Sequence, residues 1–168
     1  MRVAVTGTPG TGKTTATDLV ETALELVHLN EAIEARELYT ETDPERGSYV
    51  ADLDAIQAAY ADHADLLVES HLAHHLDVDR VVVLRCHPRT VQDRLLERGE
   101  PNDSAAENAE SEALDVILSE AVETHGRGAV YEIETTHQSP AETAREIEAV
   151  IEGEREPSAG TVDYTDYL

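Results

Sequence analysis

The sequence contains no tryptophan and no phenylalanine, and its only aromatic side chains besides histidine are six tyrosines. A core built from it must be aliphatic. Cysteine occurs once, at Cys86, which excludes an internal disulfide and suits a reducing cytoplasm. Cys86 follows an apolar run and reads as a quiet core thiol. No apolar run approaches the ~18–20 residues of a membrane span; the longest clean one is Val81-Val82-Val83-Leu84. No secretory segment is visible, because residues 1–6 run directly into a Gly-rich loop. Lysine also occurs once, at position 13, beside eleven arginines.

Positive charge is scarce throughout: 36 acids against 12 Lys and Arg give a net charge of −24. The acids number nine in residues 1–50, ten in 51–100, twelve in 101–150 and five in the remainder. So even a spread fits whole-surface adaptation to high salt better than a single acidic docking face, and lysine loss fits it too. The expected source is salt-loving. Dense acid also argues against stable direct binding to nucleic acid, whose phosphates it repels, although that repulsion is screened within a few ångströms at near-saturating salt.

What is present is an alternation of strand and helix patterns in 168 residues, enough for one domain with a substantial core. Strands are expected at 2–6, 26–29, 65–69, 80–85 and 129–134. Helices are expected at 13 to about 26, 30–37, 53–63, 88–99, from a capping-box spacing at Ser104–Glu107 onward, and 140–152. In the helix after Ser104, Leu114, Ile117, Leu118, Ala121 and Val122 share one face. A polar loop runs from 38 to Gly47. Continuous apolar centres in the strands, in βαβα order, imply an α/β fold: a five-stranded parallel sheet sandwiched by helices. After Glu156 the sequence Pro-Ser-Ala-Gly reads as a break, and the final residues, with Tyr164, Tyr167 and Leu168, either dock onto a partner or, as is expected, fold back or fray.

Gly7-Thr8-Pro9-Gly10-Thr11-Gly12-Lys13-Thr14 fits G-x-x-x-x-G-K-[ST], placed between a predicted strand and a predicted helix. Glycines let backbone N–H groups converge on phosphate oxygens, and the following helix presents its positive end. Lys13 would reach the β- and γ-phosphates of ATP, and the Thr14 hydroxyl would ligate Mg²⁺. A surface that has shed every other lysine has kept this one where a compact ammonium works and a wide guanidinium fits poorly. The single lysine also excludes guanine readers built on Asn-Lys-x-Asp. AAA-type motors, which carry Asp-Glu after an apolar strand, match poorly with Leu66-Leu67-Val68-Glu69-Ser70.

Other candidates follow. Glu69 ends an apolar strand, where ligands gather in open parallel sheets, and could orient Mg²⁺-bound water. His71 could position the nucleophile. Zinc held by His71, His74 and His75 is the rival reading, weakened by the lack of a cysteine or fourth ligand. Arg94 and Arg98 share a helix face and read as a clamp on transferring phosphate; Arg80, Arg85 and Arg89 read as structural.

The residues GTPGTGKTT at 7–15, Glu69-Ser70-His71, VVVLRCHPRTVQDRLLERG at 81–99, and Asn108 with Glu112 resemble the adenylate kinase isoenzyme 6 family over about residues 2–152. The resemblance implies a three-layer P-loop fold of the nucleoside monophosphate (NMP) kinase type. It implies ATP phosphates and Mg²⁺ held by Gly10, Gly12, Lys13, Thr14 and Thr15, with an Arg98 that opens a lid at about 97–107 and reaches the donor. It further implies an NMP-binding arm at about 28–51, with Arg36 toward the acceptor, AMP being the expected one; Arg94, from its helix face with Arg98, is a second candidate for the acceptor. Glu69 and His71 fall on the family's acid-x-His pattern. The remainder, 153–168, is read as a tail outside the resemblance. Members of this family are also ATPases of small-ribosomal-subunit assembly that bind its platform protein (universal small-subunit protein eleven), so an assembly factor with little kinase activity is the alternative. A kinase of another small metabolite is a third reading.

Overall fold

A computed structural model describes residues 1–45 and 47–168. Five strands form a parallel sheet: β1 Arg2–Thr6, β2 Glu25–His28, β5 Leu66–Glu69, β6 Arg80–Arg85 and β7 Val130–Glu134, in the order β2-β5-β1-β6-β7. The expected sheet and its five strands are thus observed, β1 and β6 with the expected ends.

The side-chain alternation of the strands builds a core on each face. Val81 and Val83 of β6, with Ala4, Leu66 and Val68, pack against α2 (Leu29–Ala35), α3 (Leu53–Ala59) and α6 (Val116–His125). Val82 and Leu84, with Val3, Val5, Leu67 and Ile133, pack against α1 (Lys13–Thr17) and α7 (Pro140–Ile151). All of these strand residues are essentially inaccessible to water. Each fully buried Val or Leu contributes ~1.5–3 kcal/mol, so the sheet centre holds without a single Phe or Trp. Helices α4 (Pro88–Glu97) and α5 (Asn102–Ala113) pack together beyond the C-terminal ends of the strands, around Cys86, Val91, Leu95 and Ala105.

Four local expectations are corrected. The first helix stops at Thr17 rather than near residue 26. Three threonines in five residues lower helix propensity, and the Thr17 hydroxyl donates back to the carbonyls of Lys13 (2.8 Å) and Thr14 (3.1 Å). The polar loop through Gly47 contains a hairpin, β3 (Tyr39–Asp43) antiparallel to β4 (Ser48–Ala51), with Tyr39 and Tyr49 stacked at 4.2 Å. Its strands are largely exposed and lack apolar alternation, yet Tyr, Thr and Val on either side of Asp-Pro-Glu are strand formers. Helix α5 begins at Asn102 behind Pro101; Ser104 lies inside it and donates to Glu100 instead of capping. Finally, Asp115 at φ 56° breaks the helix into α5 and α6, which leaves Leu114 exposed while Leu118 and Ala121 are buried. The capping box that does form is Ser139 with Glu142, at the start of α7.

The chain after α7 folds back on β7. Glu132 accepts from the backbone N–H of Thr161 at 2.8 Å and from that of Gly160, and Tyr164 is buried with its hydroxyl on Glu134. Among the described residues no helix is long and apolar enough to cross a membrane.

Candidate functional site

The central strand β1 lies between β5 and β6, and the chain crosses over to opposite sides from it. A crevice must open at the C-terminal ends of these strands. The loop 7–12 fills its floor. Gly7, at φ 148°, brings its Cα so close to the Leu84 carbonyl that a Cβ there would lie 2.6 Å from that oxygen. Gly12, at φ 92°, turns the chain into α1, where only a residue without a Cβ is unstrained.

Lys13 lies under this loop. Its Nζ donates to the carbonyls of Gly7 (2.8 Å) and Thr8 (3.1 Å). Burial pushes its pKa down to about 8; Glu69 and Glu112 oppose that shift, and Arg98 adds to it. A bound phosphate would supply the negative charge that this buried ammonium lacks. The Thr14 hydroxyl meets Glu69 Oε1 at 3.3 Å, at the end of β5. The other Glu69 oxygen is paired with His28 Nδ1 at 2.8 Å, and His28 Nε2 meets Asp18 at 2.8 Å. Burial opposes charge on His28, but Glu69 and Asp18 raise its pKa overall.

Two adjoining clefts result. One, of about 210 Å³, is lined by Gly10, Gly12, Lys13, Thr14, Thr15, Asn30, Glu69, His71 and Arg98. The other, of about 160 Å³, is lined by Thr11, Arg94, Arg98, Thr135, Gln138 and Pro140. Thr15 and Arg98 line both. The expected donor residues therefore converge around Lys13. Arg94 sits beside the second cleft, where its Nη1 donates to the Gly10 carbonyl at 3.1 Å. Arg36 does not join them: it is exposed at the end of α2, its guanidinium 5.3 Å over the Tyr60 ring. Of the expected lid, residues 102–107 are the first turns of α5, leaving 98–101 as the connection. The arm 28–51 comprises α2 and the hairpin; residue 46 within it lies outside the described residues.

Sequence reasoning missed His28, Asp18 and Asn30, and it missed the support beneath the loop. The Thr8 hydroxyl donates to Glu112 at 2.5 Å. Glu112 accepts from Arg85 Nε at 2.6 Å, and Arg85 also donates to Glu132 (2.8 Å) and Asp115 (2.6 Å). The structural role expected of Arg85 is observed, as the centre of a buried ionic cluster. Tyr164 covers it, ring centroid 5.4 Å from the guanidinium. Cys86 is buried, and burial raises its thiol pKa. Nothing in a linear pattern pairs residue 8 with 112, 85 and 132.

A parallel sheet with G-x-x-x-x-G-K-T at the end of its central strand defines a P-loop protein of the NMP-kinase type of fold. The family described as "AAA domain" matches residues 3–115, while Glu69-Ser70 stands where AAA-type motors carry Asp-Glu. A protein of Natronomonas pharaonis named "Putative adenylate kinase" is 66% identical over 168 residues, covering 100% of both chains. One of the same name from Halobacterium salinarum is 60% identical over 169 residues, again covering 100% of both. The chain belongs to the family these archaeal proteins form, consistent with its resemblance to adenylate kinase isoenzyme 6. The similarity runs through residues 153–168, which sequence reading had set outside it. Among solved structures, a shikimate kinase of Acinetobacter baumannii in complex with shikimate superposes with a TM-score of 0.66, at 17% identity, over 92% of this chain and 94% of that one; this bears on the fold alone.

Proposed function

We propose that the chain is an ATP-dependent phosphotransferase of the adenylate kinase type, moving the γ-phosphoryl of ATP to a nucleoside monophosphate, with AMP as acceptor and two ADP as products. The observation that carries this reading is the single lysine, buried in the loop and facing a cleft that also holds Thr14, Glu69 and Arg98. Lys13 and Arg98 offset charge on the transferring group; Gly10, Gly12 and Thr15 cradle the phosphates. The cleft with Thr135, Gln138 and Pro140 takes the donor base. Glu69 and His71 face the position of the attacking oxygen. Arg94, expected to serve the acceptor, lines the cleft given to the donor base and holds the Gly10 carbonyl, so its part falls on the donor side; Arg36 serves the acceptor. For Arg36 this requires the arm to move, because it now lies on Tyr60.

A hydroxyl and a carboxylate 3.3 Å apart at the loop, Thr14 and Glu69, are the hard oxygen donors that Mg²⁺ prefers. Thr14 would hold the ion directly and Glu69 through water, with His28 fixing the carboxylate. The ion supplies charge neutralisation of the phosphates when bound.

The test is coupled turnover of ATP plus AMP in molar KCl. Lys13→Ala is expected to abolish ADP formation while the protein stays folded; full activity in that variant overturns the proposal. ATP hydrolysis without an acceptor, and a cytoplasmic role in 16S rRNA maturation with the platform protein of the small subunit, are the finer readings that family resemblance supports. Repeating the assay with that ribosomal protein separates them: tight ATP-dependent binding with negligible AMP phosphorylation favours the assembly factor.

A further inference from the structure

On the far side of His71 lies a third cavity, of about 340 Å³, bordered by Thr8, Pro9, Asn108, Ser111, His75 and Glu120. One end of it holds a group of potential ligands that the reading above leaves unused. After β5 the chain makes a tight turn, Ala73–His75, which packs beneath α6. His74 and His75 lie ring against ring, with centroids 4.1 Å apart. Their Nε2 atoms both face Glu120 Oε2, at 2.8 and 3.9 Å. The ligand atoms of all three residues lie within 4.8 Å of one another. Ligands of a tetrahedral zinc ion stand ~3.3 Å apart, so an ion enters with side-chain adjustment alone.

The surroundings fit such an ion. His74 is 1% exposed, and its Nδ1 meets the Thr6 hydroxyl at 2.8 Å. A metal-ligating histidine commonly has its second nitrogen fixed in this way. The turn is held from the other side, where His125 Nε2 donates to the His74 carbonyl at 2.6 Å. The expected zinc set of His71, His74 and His75 lacked a further ligand; Glu120, 45 residues beyond His75, joins His74 and His75, while His71 stands apart on the wall between this cavity and the phosphate cleft.

We propose that His74, His75 and Glu120 bind a zinc-class transition-metal ion, with a coordination position open to the cavity beside the phosphate loop. Two imidazole nitrogens and one carboxylate favour such an ion over Mg²⁺. No proton need leave His74. Without metal, Nε2–H donates to Glu120 and Thr6 donates to Nδ1; with metal, the ring proton resides on Nδ1, the Thr6 hydroxyl accepts it, and Nε2 takes the ion.

The experiment titrates the full chain with Zn²⁺ in molar KCl, with Mg²⁺ in large excess to occupy surface carboxylates. One ion per chain is expected. His75→Ala and Glu120→Gln, neither of them at a buried position, should each weaken it at least ~10-fold. Co²⁺ should give the intense visible d–d bands of a four-coordinate site. Absence of saturable one-to-one uptake, or uptake equal in both folded variants and the parent, overturns the proposal. Should a variant not fold, the parent's Co²⁺ spectrum decides, and the weak bands of a six-coordinate ion overturn it.

Discussion

Replacing Arg85 by Met leaves a buried chamber with acids and no cation. The Arg85 side chain is 1% exposed; those of Glu112 and Glu132, its partners at 2.6 and 2.8 Å, are 3% and 0% exposed. Burial alone opposes a charged guanidinium, yet the carboxylates, Glu112 foremost, hold its pKa above the ordinary arginine value. Breaking one buried pair by removing a partner costs ~3–5 kcal/mol, and here two buried carboxylates lose the same partner. Asp115, at 37% side-chain exposure, remains partly solvated and adds little. The expected loss is therefore at least ~3–5 kcal/mol, a large part of a total of ~5–15 kcal/mol. Denaturant unfolding at several KCl concentrations measures it. Because the pairs are buried, the loss should persist as salt rises. Arg85→Met combined with Glu112→Gln and Glu132→Gln should recover part of it, since uncompensated charge rather than lost packing is the cause. A loss under ~1 kcal/mol, or one that fades with added KCl, refutes the reasoning.

Three further outcomes are expected. Gly7→Ala forces a Cβ to within 2.6 Å of a backbone oxygen that cannot move aside, so ATP affinity and about 2 kcal/mol or more of stability should be lost together; calorimetry and melting check both. The His71 pKa is pushed down from 6.5 to about 4, by burial first and Lys13 second. The unfolded chain therefore takes up this proton before the folded one, and the stability it represents is complete above pH 6.5 and is lost as pH falls toward 4. About 2 kcal/mol of that loss should be present by about pH 5, and His71→Asn should remove it; parallel stability–pH curves for the two proteins would refute this. Arg98→Ala, which empties a wall shared by both clefts, should cut kcat about 100-fold, read by the coupled ADP assay.

Legibility tracked locality. Strands β1 and β6 were readable because a continuous apolar run bounded by polar residues has one good solution in a parallel sheet. The phosphate loop was readable because glycine spacing and a lone lysine are contiguous signals. Glu69 followed from the rule that sites lie at strand ends. Features that depend on distant partners were not readable. Glu112 stood out only as part of a family pattern with Asn108, and only the fold puts it between Thr8 and Arg85. His28 looked like a strand residue, and its contact with Glu69 follows from the β2–β5 register, which pairs the two positions. The histidines at 74 and 75 had no visible acidic neighbour until α6 placed Glu120 beside them. The hairpin was hidden because an exposed, polar ribbon has no hydrophobic period to reveal it.

The lone lysine has a chemical consequence of its own. An acylating reagent meets only one side-chain amine in the whole protein, at the floor of the nucleotide cleft. Burial lowers its pKa to about 8, so more of it than of an ordinary lysine is unprotonated in mildly alkaline buffer. Covalent labelling, counted by mass beyond any modification of the α-amine, therefore reads nucleotide occupancy directly, without mutation, tag or dye. Its scarcity of lysine leaves a protein whose side-chain amine chemistry reports on one site.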